Sequence, residues 1–256
     1  KATEGVGYKD PKFAQRWKWA SDLGMCRGAY HFARVSSAIA GGAKADARAE
    51  AEWFLQVLGY NSRDAVKPGD LPPVLDIEWD TRAKKAGITP QQIVAYCVEF
   101  VRVIEDRIGI TPLVYTGPNY WKFRAGNSNA LVRCPLWLVH GYRGKKTPPK
   151  TIPGWPWTFF QYTNKATRPD GRQGGIDMNI FNGTMTDLRK LAGIPENAHE
   201  EALKPFIRLD PARNQNTNGV GLGMSIANDI IQAHGGTLVL GESPLGGLRC
   251  AITLPV

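Results

Sequence analysis

The stretch Leu75-Asp76-Ile77-Glu78-Trp79-Asp80, entered through Pro73-Val74, decides the fold. An apolar run that ends in acids reads as a buried strand over 73–78. On a strand, alternate side chains face the same side. Asp76 and Glu78 therefore point together, with Cα atoms roughly 6.6 Å apart at about 3.3 Å of rise per residue. Ile77 points the other way, into an apolar layer. Two carboxylates at the end of a hydrophobic strand are costly unless something compensates them.

Working outward, 27–33 (RGAYHFA), 112–116 (PLVYT), 135–140 (PLWLVH) and 158–163 (TFFQYT) read as further strands. A helix is expected over 38–59, with Ala49, Trp53, Leu55 and Leu58 as its buried stripe. Thr89-Pro90 has the chemistry of a helix start, with Thr as cap and Pro at the first helical position. Ile93, Tyr96, Cys97, Phe100, Val101 and Ile104 then follow helical spacing. Strands alternate with helices early and follow one another with little helix later. This predicts an α/β fold, a β/α barrel with an irregular second half. At the C-terminal end of a barrel strand, Asp76 and Glu78 stand where barrel enzymes keep their chemistry.

Composition bounds the rest. The 256 residues suffice for one large domain or two modest ones, and 43% hydrophobic with 21% charged residues is a globular balance. Of the net charge of +9, the residues from Pro195 onward carry four basic and six acidic groups, so the basic excess lies before them. That excess suits an anionic partner, either nucleic acid or an anionic cell envelope, and no Lys/Arg run marks a nucleic-acid arm. Eight Trp and eight Tyr supply flat faces for sugars as well as for packing. Cys26, Cys97, Cys134 and Cys250 form no C-x-x-C pair and lack nearby His at ligand spacing, so neither a zinc site nor a disulfide framework is expected. No apolar stretch approaches a membrane span, and no signal peptide is visible in a chain that opens at Lys1 without Met.

Like-charge repulsion between Asp76 and Glu78 would raise one pKa and set a proton donor beside an anion. Glycosidic bond cleavage needs that division of labour, and the Cα spacing alone does not decide between retention and inversion. Strand-end salt bridging and divalent-metal binding are the competing readings of a bare D-x-E.

Seven motifs recur in order: Lys1-Ala2-Thr3-Glu4-Gly5, Gly28-Ala29-Tyr30-His31-Phe32, Leu75-Asp76-Ile77-Glu78, Val114-Tyr115-Thr116-Gly117, Pro135-Leu136-Trp137, Phe160-Gln161-Tyr162-Thr163 and Gly175-Ile176-Asp177-Met178-Asn179-Ile180-Phe181. Together they resemble glycoside hydrolase family 25, the muramidase-type lysozymes, over residues 1–192. The resemblance implies cleavage of the β-1,4 bond between N-acetylmuramic acid and N-acetylglucosamine in peptidoglycan, outside the cell or in the periplasm, without a cofactor or metal. It implies Glu78 as general acid, Asp76 as support for charge developing at the sugar with the substrate's own N-acetyl group, and Asp177 as a third active-site carboxylate. Glu4, Tyr30, Tyr115 and Trp137 match groove positions. The family pattern opens with an Asp-bearing strand ahead of K-A-T-E-G. The expected fold is therefore an incomplete TIM-like barrel lacking its first strand, with a non-catalytic sugar-binding module as the alternative function.

The texture changes near residue 193. Gly193-Ile194-Pro195-Glu196, Lys204-Pro205-Phe206-Ile207-Arg208-Leu209-Asp210, Gly219-Val220-Gly221-Leu222-Gly223-Met224-Ser225-Ile226-Ala227 and Gly246-Gly247-Leu248 resemble the end of a sensor histidine kinase ATP-binding domain over 193–256. A helix over 223–234 and strands over 237–240 and 248–254 are expected, a small α+β fragment. Gly219, Gly221 and Gly223 match a phosphate-side glycine box, since glycines before a helix N-terminus can cradle an anion. The helix that would hold magnesium, the adenine-reading Asp and the phospho-accepting His domain have no counterpart. The reading is a fusion or assembly chimera, with a degenerate kinase fragment as the third functional class.

Overall fold

The computed structural model describes residues 1–36, 40–80, 86–140, 146–148, 150–167, 175–195, 223–243 and 248–255. Its centre is an eight-stranded sheet in the order β2-β1-β3-β4-β5-β6-β7-β8. The strands are β1 (Thr3–Glu4), β2 (Tyr8–Lys9), β3 (Tyr30–Phe32), β4 (Val74–Asp76), β5 (Leu113–Thr116), β6 (Leu136–Val139), β7 (Trp157–Ala166) and β8 (Ile176–Phe181). β1, β3, β4, β5, β6 and β7 run parallel, while β2 and β8 pair antiparallel at the two ends. The α/β class and the parallel succession expected from the sequence are present. Among the described residues no ladder joins β2 to β8 to close a barrel.

The helices α1 (Phe13–Asp22), α2 (Gly42–Leu58), α3 (Pro90–Ile108) and α4 (Pro118–Ala125) follow β2, β3, β4 and β5 in the chain. α3 forms where the cap chemistry placed it. Thr89 accepts the Gln92 N–H while Gln92 accepts the Thr89 N–H, a reciprocal cap. All six residues of its expected stripe are buried. Gly109 stops the helix at φ +63, which L side chains rarely adopt. The stripe expected for α2 is corrected: Ala49 is exposed and Trp53 and Leu58 are only partly buried. The buried face is Ala43, Asp46, Ala47, Glu50, Ala51, Phe54 and Leu55. Two carboxylates sit in it because each meets hydrogen-bond donors there, which hydrophobic periodicity does not register.

The main core lies between the outer face of the sheet and these helices, with Leu75, Ile77, Val114, Leu136 and Leu138 against Phe54, Tyr96, Phe100 and Ile104. His31 stacks on Phe100 at 5.2 Å within it. A second cluster fills the inner face: Val74, Leu113 and Phe159, flanked by Tyr30, Tyr115, Trp137 and Phe181. It is completed by Leu188 and Leu191 of α5 (Met185–Leu191), and the fully buried Ala192 beyond that helix accepts the Gly69 N–H at 2.8 Å.

The C-terminal segment is α6 (Gly223–Ala233) followed by an antiparallel pair, β9 (Thr237–Glu242) and β10 (Leu248–Thr253). These match the expected helix and strands to within two residues. Ile231 and Leu238 are buried, whereas Ile226, Ile230, Val239 and Ile252 stay more than half exposed. All four cysteines are free thiols. No helix among the described residues is long and apolar enough to cross a membrane.

Candidate active site

Strand alternation delivers the carboxylates as the sequence implies. Ile77 is buried in the outer core, and Asp76 and Glu78 line one cleft on the inner face. The cleft, about 180 Å³, is bounded by Tyr30 of β3, Val74 and Asp76 of β4, Glu78, Tyr115 of β5, Trp137 of β6, Gln161 and Asn164 of β7, and Asp177 of β8. β8 runs antiparallel to β7 with Ala166 opposite Ile176, so Asp177 reaches the carboxyl end of the parallel strands from the start of its own. The chain after Asp76 is held on both sides: Ala33 N–H donates to the Asp76 carbonyl at 2.9 Å, and Ile77 N–H to the Tyr115 carbonyl at 3.0 Å. Gly117 has a steric reason, since a Cβ there would stand 3.0 Å from the Val139 carbonyl oxygen at the end of β6.

An aromatic row crosses the inner face. Tyr115, Trp137, Phe159 and Phe181 are register neighbours on four successive strands. Their rings meet at 5.9 Å (Tyr115–Trp137, edge to face), 5.3 Å (Trp137–Phe159) and 5.0 Å (Phe159–Phe181). The Trp137 indole N–H donates to the Asn179 side chain at 2.8 Å, which fixes the ring plane. Such a plane beside carboxylates suits a sugar face.

Asp76 is 6% exposed, and its Oδ1 has no hydrogen-bond partner among the described residues. Burial, then the charge of Glu78, pushes its pKa well above the carboxylate range, against the pull of Lys1 and Arg34. Glu78 is half-buried and is also raised, by burial and then by the charge of Asp177. The cluster therefore retains a proton that separate carboxylates would release, and its titration belongs to the group. Burial and the neighbouring Asp76 and Asp177 push the Tyr30 phenol to about 12, so it stays a protonated donor.

Of the residues read from sequence, Asp76, Glu78, Asp177, Tyr30, Tyr115 and Trp137 are brought together. Glu4 is not among the residues lining the cleft; it is held in ion pairs with Lys1 and Arg34 at 2.7 and 2.5 Å. Gly219 and Gly221 lie outside the described residues, and Gly223 is the first residue of α6. Gln161, quoted above only as part of a motif, and Asn164, which no motif includes, also line the cleft. Gln161 alternates with the core residue Phe160, a readable period of two. Asn164 lies three residues further on the same cleft, because the β7–β8 register shifts between Gln161 and Thr163. Among the described residues no group of His, Cys, Asp and Glu is arranged to hold a metal ion.

The family described as "Glycosyl hydrolases family 25" matches residues 1–170. "Lysozyme M1" of Streptomyces globisporus is 34% identical over 194 residues, covering 75% of this chain and 62% of that protein. The chain thus spans about three fifths of the length of the curated relatives it first matches. The solved structure of a family GH25 lysozyme from Aspergillus fumigatus superposes with a TM-score of 0.62 at 35% identity, covering 75% of this chain and 84% of that one. At the other end, the family described as "Histidine kinase-, DNA gyrase B-, and HSP90-like ATPase" matches residues 163–256. The sensor histidine kinase CpxA of Escherichia coli K12 is 42% identical over 64 residues, covering 25% of this chain and 14% of that protein.

Proposed function

The chain belongs to glycosyl hydrolases family 25, and from that premise we propose that it is a peptidoglycan hydrolase that cleaves the β-1,4 bond between N-acetylmuramic acid and N-acetylglucosamine. The observation that carries this reading is the convergence of Asp76, Glu78 and Asp177 in one cleft beside the Tyr115–Trp137 aromatic pair. Glu78 stands half-buried at the mouth, where a glycosidic oxygen can reach it, and serves as general acid. Its proton goes to the leaving oxygen as the bond from that oxygen to the sugar C1 breaks, and the bonding pair stays on oxygen. The positive charge left at C1 and the ring oxygen is met by the anionic side of the cluster. Asp76 lies at the floor, and its Oδ1, without a partner among the described residues, accepts from the substrate's N-acetyl N–H, holding that group so that its carbonyl oxygen shields C1 until water adds there and gives its proton to the Glu78 carboxylate, which restores the acid.

A general acid contributes about 10²–10⁴-fold to rate. Glu78→Gln keeps shape but has no proton to give at this position. Turbidity clearing and reducing-sugar release from purified cell walls should fall by about that factor. Equal clearing by both proteins would refute the assignment of Glu78.

The lysozyme-like unit is proposed to extend through Ala192, past residue 170 where the family match ends. The support is that Leu188 and Leu191 complete the inner cluster and that the Ala192 carbonyl is tied to Gly69.

A further inference from the structure

We propose that Arg34 is a positioning residue for the general acid: it ties the segment that carries Glu78 to β1 and to the buried core, and so fixes where the Glu78 carboxyl stands. This rests on the reading of Glu78 given above. Arg34 lies two residues beyond β3, at the same end of the sheet as the cleft. Its guanidinium forks between two elements. Nε and Nη2 bond Glu4 Oε1 at 2.8 and 2.5 Å, and Nη1 meets Asp80 Oδ1 at 2.9 Å. Asp80 is two residues past Glu78, so this contact pins the far side of the acid's segment. The near side is already pinned by the Ile77 bond to Tyr115.

Arg34 is itself anchored. Its backbone N–H donates to Glu50 Oε2 at 3.1 Å, and the same oxygen takes the Tyr96 hydroxyl and His31 Nε2, each at 2.6 Å. His31 Nδ1 meets Thr3 Oγ1 of β1 at 2.8 Å. The Arg34 guanidinium also lies over the Phe32 ring at 4.5 Å. The core thus holds Arg34, and Arg34 holds Glu4 and Asp80 at once. A planar fork can grip two carboxylates in fixed geometry, whereas an ammonium cannot. Glu4, which the sequence suggests for the groove, acquires a different place: it is one jaw of this clamp.

The test is a cycle of Arg34→Gln, Asp80→Asn and the double variant, with Arg34→Lys, on the full chain. A misplaced catalytic group costs about 10²-fold when it moves by an ångström. Each single variant should lower kcat by about 10–100-fold with KM changed less than about threefold, and Arg34→Lys should recover part of the loss. The double variant should fall no further than the worse single, because both remove one tether. Independently of turnover, hydrogen exchange at the Ile77–Asp80 amides should speed up by about tenfold in Arg34→Gln while the α3 amides stay protected. Multiplying losses, a change confined to KM, or unchanged exchange in that segment would overturn the proposal. If wild type and Glu78→Gln clear walls equally, the general-acid reading fails, and the exchange comparison still decides whether Arg34 holds this segment.

Discussion

Replacing Asp46 by asparagine should stabilise the protein at neutral pH. Asp46 lies in the buried face of α2, 6% exposed, and accepts the Ser36 N–H at 2.7 Å. Glu50 follows one turn later on the same face, a like-charge pair at i,i+4. Burial, then Glu50, raises the Asp46 pKa from 3.8 to about 6, against the Ser36 N–H. The folded state thus binds this proton more tightly than the unfolded chain. The stabilisation from that proton is complete below about pH 4 and is lost as pH rises through about 6. At about 1.4 kcal/mol per unit, the shift sets a ceiling of about 3 kcal/mol at pH 8, and screening by nearby water reduces it to about 1–2. Asparagine keeps the acceptor for Ser36 and carries no charge. Thermal unfolding followed by circular dichroism should therefore show Asp46→Asn melting about 3–6 °C higher at pH 8, with the gain fading by pH 4. A variant that melts lower at pH 8, or a gain that does not change with pH, would refute the reasoning.

Protonated Glu78 is the working form of the acid, so the rate should fall as pH rises through its raised pKa; because the charge of Asp177 helps raise it, the alkaline limb of the residual activity of Asp177→Asn should move to lower pH. An unmoved limb would show that Asp177 does not act on Glu78. Limited proteolysis should cut first between Gly193 and Asn218 and leave an N-terminal fragment that retains α5, whereas resistance there together with a single cooperative melt would show one fused fold.

The parts of this fold legible in the sequence are those where one local rule acts alone. The alternation of Asp76, Ile77 and Glu78 set the acids on one face and the isoleucine on the other. The Thr89 cap with Pro90 behind it and six spaced apolar residues gave α3 its start and its buried side. α2 was misregistered because its inward face includes Asp46 and Glu50, whose burial depends on Ser36, His31 and Tyr96 from elsewhere in the chain. α1 carries no apolar stripe to read, since of its ten residues only Phe13 is buried. Asn164 was hidden by a register shift, which breaks the period of two on which strand reading depends. The Arg34 fork was invisible for another reason: its carboxylates come from β1 and from the segment after β4, and nothing local to Arg34 names them.

The contact between Gly69 and Ala192 bears on how the molecule is made. A parallel sheet gains its long-range pairs only after the intervening chain exists. The inner cluster of Val74 and Leu113 belongs to strands synthesised early, yet the leucines that cover it are among the last of the unit to be translated. Until α5 emerges, that apolar floor stands wet and can recruit other nascent chains. α5 therefore acts as a stopper fitted after the strands it covers have been made. A message cut short before it would yield a sheet with its acids in place and its base uncovered.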